Sequence, residues 1–123
     1  MRITTTKLFG LTEISPEAVR QMLGQPGFMA IDNNSISSFR RHHLPGARHL
    51  DPGVYSPVDL GPDKNATIVF YCSDALCGAG PYAAKRARNM GYENVFVMTV
   101  GLRVWLRKGY PVEPEITNGA VPG

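Results

Sequence analysis

Cysteine is scarce in this chain, with only two in 123 residues, at positions 72 and 77. That excludes the disulfide framework of a small secreted domain, and the pair is read as free thiols in a reducing compartment. The opening Met1-Arg-Ile-Thr-Thr-Thr-Lys7 carries charge but no apolar stretch of signal-peptide length, so export is not expected and the chain is read as cytoplasmic. No apolar run approaches the roughly 20 residues that span a bilayer, which excludes a membrane helix. Basic residues are scattered without interleaved aromatics, and no recognition motif appears, so nucleic acid is not an expected partner. The two cysteines and the histidines at 42, 43 and 49 lack the paired spacing of a metal site. No metal and no cofactor are expected. Repeats and low-complexity segments are also missing.

What is present is the material of one α/β domain. The length suits a single core, and 43% hydrophobic content is globular. A net charge of +3 favours anionic small molecules or acidic partners. Ser15 caps a helix that Pro16 opens and Gly24 closes. Phe28–Asp32 reads as a strand, Ile36–Arg41 as a helix after the Asn33-Asn34-Ser35 break, and Arg48–Leu50 as a brief strand. A surface loop rich in proline and glycine runs from Asp51 to Asp63. Ala66–Tyr71 is β-branched and aromatic without polar alternation, the pattern of a central strand covered on both faces. Pro81–Met90 reads as a helix, Asn94–Met98 as a further covered strand and Leu102–Lys108 as a last helix. This alternation predicts a parallel sheet with helices on both faces. The domain is placed at residues 1–112 and a loose tail at 113–123.

The chemistry gathers where the central strand ends, in Phe70-Tyr-Cys-Ser-Asp-Ala-Leu-Cys-Gly78. A strand-to-helix turn leaves backbone N–H groups converging on one space, with the positive end of the helix dipole behind them. Ser73, Asp74, Ala75, Leu76, Cys77 and Gly78 are therefore the candidate binding loop. Cys72 opens it, and a thiolate stabilised there would be a nucleophile. The alternative is that Cys72 is one more small buried apolar residue. Cys77 likewise has two readings: a small residue at the helix start, or a resolving thiol close enough to exchange sulfur with Cys72. Phosphatase chemistry fits poorly, because the sixth position after Cys72 is Gly78 and not an oxyanion-gripping arginine.

Taken together, Asp32, Phe39, His43-Leu-Pro-Gly-Ala47, Phe70-Tyr-Cys72, Ala83-Ala84, Gly91-Tyr92, Asn94-Val95 and Gly101 through Trp105 to Gly109-Tyr-Pro-Val112 resemble a single-domain rhodanese, of the sulfurtransferase family. The resemblance runs from Leu11 to Val112 and rests on the order and spacing of short motifs. It implies a small rhodanese-like α/β domain in which Cys72 carries a persulfide between a small sulfur donor and an acceptor, either a thiol, a cyanide-like nucleophile or a protein. It also implies Asp32 and His43 as structural support. The chain departs from the pattern at Asn34, where arginine commonly follows the aspartate, at Ser38 for a frequent glutamate, and at Val100 for a frequent glycine. Ala75 replaces a frequent loop glycine, and Cys77 stands near a common basic position. Asp74 is then the only charge in the loop, which predicts weak use of the dianion thiosulfate. The rival class is a catalytically weak module that binds a partner or responds to redox state through Cys72 and Cys77. His42 and His49 read as surface positions and Trp105 as packing. Lys85, Arg86 and Arg88 read as a solvated basic face whose field partly offsets Asp74.

Overall fold

The computed structural model describes residues 10–114; residues 115–123 of the expected tail lie outside the described residues. In chain order the elements are β1 (Thr12–Glu13), α1 (Pro16–Met22), β2 (Phe28–Asp32), α2 (Ile36–Arg41), β3 (Arg48–His49), α3 (Pro57–Leu60), β4 (Thr67–Tyr71), α4 (Ala79–Asn89), β5 (Val95–Val97) and α5 (Gly101–Arg107). The strands form one sheet in the order β1-β5-β4-β2-β3, and every neighbouring pair is parallel. No helix among the described residues is long and apolar enough to cross a membrane.

β4 lies at the centre for the reason its composition gives. Ile68 and Phe70 point to one face, where they pack with Ala83, Ala84 and Ala87 of α4. Val69 and Tyr71 point to the other and join Val19 of α1 and Trp105 of α5. Apolar side chains on both sides of consecutive positions are what a strand sandwiched between helical layers requires. The Ser15 hydroxyl accepts the Ala18 N–H at 3.1 Å, and Ser35 does the same for Ser38 at 3.2 Å, so both expected caps close orphan donors.

Several boundaries differ from the sequence expectation. β1 is a two-residue edge strand, too short for a period to register. α3 forms inside the expected surface loop, opened by Pro57 behind the Ser56 cap. α4 begins at Ala79 instead of Pro81, because a proline within the first helical turn costs no hydrogen bond. Glu113, the first residue of the expected tail, exchanges two backbone hydrogen bonds of 2.8 Å with His43. Its carboxylate also accepts the Gly46 N–H at 2.6 Å, so fastening to the domain extends that far.

Candidate active site

Cys72 sits immediately after β4, at the carboxyl edge of the sheet, where open α/β sheets place their ligand crevices. It is 4% exposed. The loop runs from here to Gly78, which caps α4. Cys72 and Cys77 are joined across it by a disulfide, with a Cα separation of 6.4 Å. The thiols expected to be free are therefore paired in this state. Spacing already allowed the approach, and the curl of the loop achieves it: the Cys77 N–H donates to the Asp74 carbonyl at 3.2 Å, while the Leu76 N–H donates to Asp74 Oδ1 at 3.0 Å.

These two bonds change the inventory of the anion cradle. The Leu76 and Cys77 amides are consumed inside the loop, and Pro81 contributes none. The amides of Gly78, Ala79 and Gly80 at the start of α4 have no acceptor among the described residues. Ser73, Asp74 and Ala75 likewise keep amides with no acceptor among the described residues, so the run Ser73 to Gly78 loses only its Leu76 and Cys77 donors. Asp74 is a loop-builder: its carboxylate faces the Leu76 amide. Ser73, Ala75, Leu76 and Gly78 are exposed.

The back of the loop is fastened by α5, a contact between distant segments that the sequence does not reveal. The Leu102 N–H donates to the Cys72 carbonyl at 2.9 Å and the Arg103 N–H to the Ser73 carbonyl at 2.8 Å. Gly101, at φ +75°, permits this approach; a Cβ there would lie 2.6 Å from Asp74 N and from Ser73 C. A glycine just ahead of the expected last helix is the visible signal, while its neighbour in space is not.

Asp32 ends β2 beside β4 and is wholly buried. Its Oδ1 accepts the Asn34 N–H at 2.8 Å, and Oδ2 has no hydrogen-bond partner among the described residues. Burial pushes this carboxyl above its usual range, an effect that the Asn34 bond and the nearby Tyr71 hydroxyl and His49 partly offset. Tyr71 is also pushed up, first by burial and then by the Asp32 charge. A raised native pKa means that folding favours the protonated acid. Its stabilising contribution is complete below the unfolded pKa and is lost as pH rises through the native one. Asp32→Asn is uncharged throughout and should gain stability relative to the wild type as pH rises through that window. Urea midpoints from about pH 4 to about pH 8 check this, and parallel curves for the two proteins would contradict it.

His43 stacks on Phe39 with ring centroids 3.8 Å apart, and its Nδ1 is 2.7 Å from the Phe39 carbonyl. It organises the turn after α2. His42 and His49 are half-buried, not surface positions, and His49 Nε2 meets the Asn34 carbonyl at 2.7 Å. Arg86 is not part of a solvated face: its guanidinium donates to the Pro52 and Tyr55 carbonyls, both at 3.0 Å, and lies 4.6 Å from the centre of the Tyr55 ring. Lys85 and Arg88 are exposed. Trp105 is fully buried and donates to the Pro111 carbonyl at 2.8 Å, a packing role.

The geometry, a single cysteine opening an amide-lined turn after the central parallel strand, has relatives. Residues 15–108 match the family described as rhodanese-like domain. The chain is 27% identical over 100 residues to a thiosulfate sulfurtransferase GlpE of Pseudomonas putida, covering 81% of this chain and 88% of the relative. It is 31% identical over 103 residues to thiosulfate/3-mercaptopyruvate sulfurtransferase 2 of Arabidopsis thaliana, covering 78% of this chain but only 28% of that longer protein. In fold it is similar to the rhodanese-like domain of the Alr3790 protein of Anabaena, with a TM-score of 0.71 and 22% identity, covering 90% of this chain and 84% of the other. The match to the family covers well over half of the chain, and the chain belongs to the rhodanese-like domain family.

Proposed function

We propose that the chain is a sulfurtransferase that moves sulfane sulfur through a persulfide on Cys72. The observation that carries this reading is the position of Cys72 between the end of β4 and the unpaired amides of Gly78, Ala79 and Gly80. The Cys72 thiolate attacks the outer sulfur of the donor, whose S–S or S–C bond breaks and whose leaving group takes the electron pair. With thiosulfate the leaving group is sulfite. The resulting persulfide is anionic at its terminal sulfur, and the amides replace the water it loses. An acceptor nucleophile then attacks that terminal sulfur and returns the Cys72 thiolate. The disulfide form must first be reduced by a thiol, because neither sulfur is nucleophilic while bonded to the other. The experiment is intact-mass measurement of the reduced chain after thiosulfate, mercaptopyruvate or polysulfide: one donor at least adds about 32 Da per sulfur, and none adding it overturns the reading.

A second role for the loop is favoured by the placement of Cys77. Its Cα is 6.4 Å from that of Cys72, inside the range of about 4.4–6.8 Å that a disulfide spans. The Cys77 thiolate attacks the inner sulfur of the Cys72 persulfide, hydrosulfide leaves, and the site closes as a disulfide until a thiol reopens it. Cys77→Ser removes this exit. Its persulfide should persist several-fold longer after donor removal, and peroxide should drive its Cys72 to sulfinic acid faster. Equal persulfide lifetimes in the two proteins, with no intraloop bridge in peptide maps of oxidised wild type, would leave Cys77 as packing.

A further inference from the structure

Beside the Cys72 loop lies a shallow groove of about 250 Å³, lined by Asp74, Ala75 and Leu76 of the loop and by Val100, Arg103, Val104 and Arg107. It shares its wall with the sulfur-carrying loop, because Arg103 and Leu102 hold Ser73 and Cys72 by their backbone amides. Leu76, which also lines it, is 96% exposed. A large apolar side chain held out at the mouth of a site is a contact in waiting. Arg103 and Arg107 stand one turn apart on α5, both exposed, and neither makes an ion pair among the described residues. The only carboxylate of the groove, Asp74, already accepts the Leu76 amide.

We propose that this groove docks the sulfur acceptor, and that the acceptor is an acidic protein segment bearing a thiol. An apolar side chain of the segment seats on Val100, Val104 and Leu76, and flanking carboxylates pair with Arg103 and Arg107. The groove is too open and too small to enclose a small ligand, for which about 300–1,000 Å³ is usual. A protein segment, which brings its own walls, suits it better. The inference rests on the sulfurtransferase reading. In the transfer the segment's thiol sulfur attacks the terminal sulfur of the Cys72 persulfide, the persulfide S–S bond breaks, and the segment's proton passes to the Cys72 sulfur. The products are a persulfide on the segment and a free Cys72 thiol.

The test uses the reduced full chain and two synthetic peptides of equal length, each with one leucine and one cysteine, flanked by glutamates in one and by lysines in the other. Fluorescence polarisation with serine in place of each peptide cysteine reads docking without any sulfur chemistry. The acidic peptide should bind about tenfold tighter, more weakly as salt rises, and the Arg103→Glu, Arg107→Glu double variant should reverse the preference. With the cysteine peptides, discharge of the preloaded persulfide should follow the same order, while discharge to cyanide differs by less than about twofold between wild type and an Arg107→Glu single variant, which leaves the Leu102 and Arg103 anchors of the loop untouched. Equal binding of the two peptides, a preference that survives charge reversal, or free glutathione discharging the persulfide as fast as the acidic peptide would overturn the docking groove. A chain that takes no persulfide yet keeps the charge-dependent binding would overturn the sulfur-transfer reading and leave the groove standing.

Discussion

Cys72→Ser should lower sulfur transfer to any acceptor by roughly 10⁴-fold or more, to the uncatalysed background. The loss is chemical. A serine hydroxyl is almost wholly protonated at neutral pH, and an oxygen cannot carry the sulfane sulfur that a thiolate holds through a stable S–S bond. The fold should survive. Cys72 Sγ lies 3.4 Å from the Cys77 carbonyl, and a serine hydroxyl in its place can donate to that oxygen, so the smaller polar atom is not left unpaired. Against reduced wild type, where no disulfide contributes, the urea midpoint should therefore move little while activity disappears. Circular dichroism, the midpoint and thiocyanate formation measured on one preparation separate the two effects. Substantial turnover by Cys72→Ser would assign the chemistry to another group, Cys77 being the first suspect.

The second large effect is predicted at a residue with no side chain. Gly101→Ala places a methyl 2.6 Å from Asp74 N and Ser73 C, and both obstacles are backbone. No rotamer relieves the clash, and φ +75° is unfavourable for any side chain. Either α5 backs away, losing the bonds from Leu102 and Arg103 to the loop carbonyls, or the loop is pushed off its place. We expect destabilisation on the order of 3 kcal/mol. A Cys72 sulfur displaced by even about 1 Å from its amides should transfer sulfur about a hundredfold more slowly. Denaturant titration gives the first figure and single-turnover persulfide loading the second. A Gly101→Ala protein as stable and as quickly loaded as wild type would show that α5 does not brace the site.

How much of this was legible depended on whether the cause lay near in sequence. Caps at Ser15 and Ser35 and the apolar run from Ala66 to Tyr71 are local, and each element they imply is present. The parallel sheet followed from alternation alone. The position of Cys72 was legible for the same reason: a thiol ending a covered strand can only lie at the sheet edge. What stayed hidden was contact between distant segments. Arg86 reads as one of three basic residues on a helix face until Pro52 and Tyr55 arrive beneath it from the preceding loop. Gly101 reads as a motif glycine just ahead of the last helix until Ser73 and Asp74 are found against it. Asp74 reads as a charge at the mouth, yet its carboxylate serves the amide two residues on. Its role is local, but sequence alone does not choose between an Asx turn and a solvent-facing carboxylate.

The central claim is that sulfur rests on Cys72 and leaves from there, and isolating that intermediate tests it most directly. Reduced chain loaded with polysulfide, freed of donor and digested under alkylating conditions should carry about 32 Da of extra mass on the peptide holding Cys72. Cyanide added to the undigested loaded protein should release one thiocyanate per sulfur bound and return the unmodified mass. Extra mass confined to Cys77, or a Cys72 adduct that cyanide and thiols cannot discharge, would contradict the account.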